Sequence, residues 1–107
     1  MEAIAALFSV HVCSAGLTGE LEPAILERSW EKYLGFEPMA VVGALSRSPI
    51  GAFRAEPATR ALLIALMEEV AAIGRARGVA LPGDAVARRL ALIDGLAAGA
   101  TISLQRD

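Results

Sequence analysis

Apolar residues recur every three or four positions along nearly the whole chain, and nowhere do they alternate with polar ones as in a half-buried strand. This periodicity constrains the fold more than any other feature, because a repeat near 3.6 serves one face of a helix and scrambles both faces of a sheet. The predicted fold class is all-α. Hydrophobic residues make up 55% of the sequence against 21% charged, enough for a packed core and too apolar for a disordered tail. A length of 107 residues suits one domain, so residues 1–107 are read as a single helical domain.

The pattern predicts a first helix from about Glu2 to Ala15, with Ile4, Leu7, Phe8 and Val12 on one face and Gly16 as its stop. A loop over Leu17 to Glu22 follows. A long second helix is expected to begin at Pro23, with Ile25, Leu26, Trp30 and Leu34 buried and Glu27, Arg28, Glu31 and Lys32 on the other side. Its pattern runs on through Met39 to Leu45. Pro38 should kink this helix or divide it into two in tandem, because proline removes the hydrogen bond to the Leu34 carbonyl. Ser46, Ser48, Pro49 and Gly51 read as a break, then a short turn through Phe53. The clearest helix runs from Pro57 to Arg77 with Gly78 as its stop, and Leu62, Leu66, Val70 (or Glu69) and Ile73 as its repeating stripe. After a loop at Leu81, Pro82 and Gly83, Asp84 should cap a helix bearing Val86, Leu90, Ile93 and Leu96 that ends at Gly99. Thr101 to Asp107 looks like the opening of one more helix.

Several function classes drop out. A formal net charge of -2 offers no basic footprint for phosphate backbones, which excludes nucleic-acid binding through charge neutralisation. Cys13 is the only cysteine, so no disulfide forms within the chain and no second thiol completes a metal site. The apolar stretch near the N-terminus is too short to span a membrane and lacks the basic start of a signal peptide, so a cytoplasmic protein is expected. No strand, glycine-rich turn and helix follow one another, so the chain has no recognisable nucleotide site of its own.

Lys32 is the only lysine beside nine arginines. A lysine can release a proton when its surroundings lower its pKa, whereas an arginine stays charged. Arg28, one turn earlier on the same face, opposes the ammonium charge. Composition alone favours a solvated surface lysine, on a helix that also carries Glu27, Arg28 and Glu31. His11 and Cys13 are two residues apart and point away from each other on a helix, so each reads as structural. Glu68 and Glu69 are adjacent rather than one turn apart and do not make a facing acid-base pair. Arg88 and Arg89 alone are too small a cluster to signify phosphate binding, and Trp30 reads as core or interface.

The order of several strings adds to this. Leu26-Glu27-Arg28-Ser29-Trp30-Glu31-Lys32-Tyr33-Leu34, then Gly43-Ala44-Leu45 and Ser48-Pro49-Ile50-Gly51, resemble the start of the helical C-terminal domain of the ketopantoate reductase (2-dehydropantoate 2-reductase) family. Glu68-Glu69-Val70-Ala71-Ala72, Gly78-Val79-Ala80-Leu81-Pro82 and Ser103-Leu104-Gln105-Arg106-Asp107 resemble the same domain in the same order. The resemblance implies a multi-helix fold of the 6-phosphogluconate dehydrogenase C-terminal-like type. It also implies an oxidoreductase of pantothenate biosynthesis in which a separate N-terminal Rossmann domain binds NADPH and the helical domain supplies the acid and the substrate contacts. The family continues past the last string into a helix bearing a substrate-binding glutamate, so the sequence is expected to be a truncated form of that domain, inactive by itself.

On that resemblance Lys32 takes the role of general acid, Ser103 helps hold the substrate, and Asp107 belongs to the same string. No cofactor-binding residue and no metal ligand is expected in this chain. Family members that act on ketopantoate carry asparagines four and eight residues after the lysine. Here those substrate-binding positions are Phe36 and Ala40, which predicts a bulkier, more apolar 2-oxo acid or a degenerate site. Expected partners are the Rossmann domain, a small 2-oxo acid and further copies of the chain. The competing expectation is a non-catalytic helical interaction module; a membrane-surface helix at residues 2–15 is disfavoured because its polar face lacks Lys and Arg.

Overall fold

In a computed structural model the structure describes residues 25–102 and Gly16. Four helices follow one another: α1 (Ile25–Ser46), α2 (Ile50–Ala55), α3 (Pro57–Ala76) and α4 (Ala85–Asp94). No strand occurs among the described residues, so the all-α expectation holds there. The expected helix at residues 2–15 and the start at Pro23 lie outside the described residues.

α1 is one continuous helix of 22 residues, and Pro38 sits inside it. The division into two helices does not occur. Proline forfeits the bond to Leu34 and costs about 3 kcal/mol in a helix interior. Leu34, Pro38 and Val42 lie on the side facing the core and are each less than 2% exposed. Burying an apolar side chain fully contributes about 1.5–3 kcal/mol, so the stripe offsets the lost bond. The expected stripe was placed too early: Ile25 and Leu26 are 63% and 55% exposed, and burial begins with half-buried Trp30 and becomes complete at Leu34.

α1 packs most extensively on α3. Pro57 opens α3 at its first turn, as its fixed φ favours, and Gly78 closes the turn beyond it at φ 85°. The buried face of α3 is Leu63, Met67, Ala71 and Gly74, one position on from the predicted stripe. Leu62 and Ile73 are exposed, while Leu66 and Val70 only flank the core. Small residues decide this rotation. A Cβ on Gly74 would lie 3.0 Å from the Trp30 ring and 3.1 Å from Leu81, so only glycine admits them this closely. Leu81, expected in a loop, is itself buried.

The segment expected to be a turn through Phe53 is the short helix α2, and Gly51 belongs to it. Its first amides find partners far along the chain: Ile50 N–H donates to the Ala100 carbonyl and Gly51 N–H to the Ala98 carbonyl, both at 2.9 Å. Phe53 is 1% exposed and anchors α2 in the core with Leu63, Met67 and Ile93.

α4 ends at Asp94, five residues before Gly99. Arg54 braces that end by donating to the carbonyls of Ile93 at 3.0 Å, which also accepts from Leu96 N–H at 3.1 Å, and of Leu96 at 2.7 Å. Leu96 therefore lies past the helix and is exposed. Arg60 grips Asp94 with two bonds of 2.8 and 2.9 Å and the Arg54 carbonyl at 3.0 Å. The Arg60 hydrogen bonds, helped by the charges of Arg60 and Arg54, hold the Asp94 carboxyl below its ordinary pKa against the opposing effect of burial. Asp84 stands before α4 without capping it through its side chain; its carboxylate faces Arg88 at 3.8 Å instead.

Thr101 and Ile102 are not helical, and Ser103 onward lies outside the described residues. Ile102 is buried on α1, where a Cβ on Gly43 would lie 3.0 Å from its side chain. No helix among the described residues is long and apolar enough to cross a membrane.

Candidate functional site

The uninterrupted course of α1 sets the geometry of the predicted site. Positions four apart advance about 6 Å along the axis and drift about 40° around it, so Lys32, Phe36 and Ala40 form one shallow spiral stripe. A break at Pro38 would have separated Ala40 from the other two. Lys32 is exposed, Phe36 is 56% exposed and Ala40 is buried. Gly43, under Ile102, continues the stripe, so Ile102 packs on the same side of α1. Ser103 and Asp107 themselves lie outside the described residues, as do His11 and Cys13.

Two crevices flank this stripe. On one side Leu26, Ser29, Trp30 and Tyr33 of α1 meet Val70, Ile73 and Arg77 of α3 or just past it around an open, mainly apolar groove of about 500 Å³. Trp30 and Tyr33 meet edge to face there, with ring centroids 5.7 Å apart. On the other side Arg28 and Glu31 of α1 meet Ala85, Arg88, Arg89 and Leu92 of α4 around a crevice of about 180 Å³. Lys32 lines neither. It stands on the ridge between them, one turn after Arg28 and three residues after Ser29, with no hydrogen bond or ion pair among the described residues to fix its ammonium.

Glu68 and Glu69 are exposed on α3, away from this ridge. No group of three or more His, Cys, Asp or Glu among the described residues could hold a metal ion. The described residues also do not fit a dinucleotide, since they contain no strand to lead into a glycine-rich phosphate turn. Two features escaped the sequence reading. The Arg54, Arg60 and Asp94 clasp joins residues 34 to 42 positions apart, and the two crevices arise only when helices distant in sequence pack.

An amine displayed on a ridge, with no wall beside it among the described residues, suits a helical domain that completes a site shared with another body. The chain matches the family model described as ketopantoate reductase PanE/ApbA C terminal over residues 24–107, and it belongs to that family of ketopantoate reductase-like oxidoreductases. No curated protein and no solved structure matches it.

Proposed function

We propose that the chain is the substrate-binding half of an NADPH-dependent reductase of 2-oxo acids, with Lys32 as its proton donor. The observation that carries this reading is the placement of Lys32 and the two positions that follow it at four-residue steps along one unbroken helix. A separate Rossmann domain would hold the dinucleotide, whose nicotinamide supplies the hydride when bound. The part played by this chain is electrostatic and protic. As the carbonyl carbon gains an electron pair, charge develops on its oxygen; an ammonium beside that oxygen stabilises it and transfers a proton. The product is a 2-hydroxy acid, and the neutral amine regains its proton from solvent. Stabilisation that grows from ketone to alkoxide is what lowers the barrier. Docking of the Rossmann domain over the ridge would supply the missing wall and exclude water.

The half-exposed Phe36 ring, one turn from Lys32, favours a substrate with an apolar arm over one rich in hydroxyls. Ketopantoate would find neither asparagine, and sites built on such bonds discriminate by about 10⁴ or more. The intact enzyme tests both parts. Lys32→Ala should cut kcat by about 10²–10⁴ without loss of folding, the range for a positioned acid. Unchanged turnover would end the assignment. Wild-type enzyme should turn over apolar 2-oxo acids faster than ketopantoate, and Phe36→Asn should shift the ratio back; equal preference in the wild type would refute the substrate reading.

A second reading, a helical interaction module without chemistry, draws on the open groove and on Leu26, Leu45, Ile73 and Leu92, all more than half exposed. Under it the chain associates with its own copies, and a single monomeric boundary in sedimentation at high concentration removes that reading. Both readings place the protein in the cytoplasm.

A further inference from the structure

The groove between α1 and α3 has no part in the proposed reaction, and it is the roomier of the two crevices. We propose that it binds a small carboxylate with an apolar body, the body lying between the two helices and the carboxylate on Arg77. The site stands whether or not Lys32 is a proton donor. Its volume of about 500 Å³ falls within the roughly 300–1,000 Å³ of small-molecule sites. Leu26, Trp30 and Tyr33 form one wall and Val70 and Ile73 the other, so most of the lining is aromatic or branched carbon.

The walls are set before any ligand arrives. Trp30 is half-buried, with its ring lying on Gly74, where a Cβ would come within 3.0 Å of it. Tyr33 stands against that ring at an interplanar angle of 78°, which makes a fixed corner. Leu26, Tyr33 and Ile73 are each about half exposed, so an apolar body that covers them removes carbon surface from water. Walls already in place also lower the ordering cost of binding.

Charge selects the occupant. Among the described residues no aspartate or glutamate lines the groove, and Arg77 is its one cation. The nearby Arg75 is spent on the Pro82 carbonyl at 2.7 Å, whereas the Arg77 guanidinium has no hydrogen bond or ion pair among the described residues. Nor is that guanidinium needed to cap α3. The Ile73, Gly74 and Arg75 carbonyls already accept from the amides of Arg77 at 3.1 Å, Val79 at 3.0 Å and Gly78 at 3.0 Å. A guanidinium fork pairs with a carboxylate through two parallel bonds. One such cation balances one negative charge, which fits a carboxylate better than a phosphate monoester, whose charge exceeds one.

Trp30 is the only tryptophan in the chain, so its emission reports on this groove alone. Titrating the 107-residue chain with phenylbutanoate at constant ionic strength should change that emission saturably. Phenylbutanamide, which keeps the body and lacks the charge, should bind at least about tenfold more weakly, and so should phenylbutanoate to the Arg77→Gln variant, the weight of a hydrogen bond to a charged group. Ile73→Glu, which sets a carboxylate in the wall, should abolish binding. Both substituted positions are exposed, and retained helical circular dichroism checks that the variants fold. Absence of a saturable change, or equal affinity for acid and amide, overturns the proposal. Emission that shifts with protein concentration and that phenylbutanoate does not reverse gives the groove to a second copy of the chain, which overturns it too.

Discussion

The two flanks of α1 meet their neighbours by opposite means. Toward α3 the close approach occurs at Gly74 and is filled by the Trp30 ring, whereas toward α4 it occurs at Gly35 and is filled by the stem of Arg89. One crevice is walled mainly by rigid aromatic and branched carbon, the other mainly by long, flexible charged side chains. Apolar helix faces fix a geometry, and charged side chains over a glycine leave it adjustable. Lys32, on the ridge between them, belongs to neither regime.

The largest effect should fall on that ridge, as a loss of turnover by about two to four orders of magnitude in Lys32→Ala, with thermal stability changed by no more than about 0.5 kcal/mol, as for a surface substitution. A comparable loss of stability would show that the residue serves packing instead. On the aromatic flank Gly74→Ala should cost about 1–3 kcal/mol in chemical denaturation, because the added Cβ would meet the rigid Trp30 ring at 3.0 Å and Leu81 at 3.1 Å. On the cationic flank the matching change should be far milder. Gly35→Ala displaces an arginine stem that can swing into solvent, and alanine gains up to about 1 kcal/mol of helix propensity over glycine, so the net change should lie near zero. If the two substitutions cost the same, the contrast between the flanks fails.

The smallest effect concerns acid. Because the Asp94 carboxyl is held below its ordinary value in the fold, the folded chain binds fewer protons than the unfolded one between the depressed value and the free carboxylate value of about 3.9. The stabilising contribution of Asp94 is therefore complete above that ordinary value and disappears as pH falls through the folded one. Asp94→Asn should lower the melting temperature slightly at neutral pH and leave it equal to wild type at the acid end of that window. Side chains that are 33% and 43% exposed keep the effect small. A gap that persists in strong acid would mean that Asp94 acts through packing.

Helix existence was plain in the sequence wherever it depended on local chemistry. Pro57 at the start of α3 and Gly78 just past its end carry their own backbone preferences, and both stand where expected. Features set by distant partners were not legible. The end of α4 is braced by Arg54, 39 residues upstream of Ile93, and the first amides of α2 donate to carbonyls near residue 100. The rotation of α3 was missed for another reason: Ala71 and Gly74 weigh little in an apolar tally, yet small residues mark where helices come closest. For the candidate site, the spacing of Lys32, Phe36 and Ala40 could be read directly, but that Pro38 would leave their helix whole could not.

The seat of Ile102 on Gly43 has a consequence for reach. Gly43 is eleven residues beyond Lys32, a climb of about 16 Å along the axis, so Ile102 is pinned to α1 well away from the amine. The packing that ties Ile102 to α1 therefore grips the helix about three turns from Lys32, and it can loosen or tighten without disturbing the ridge that carries the amine.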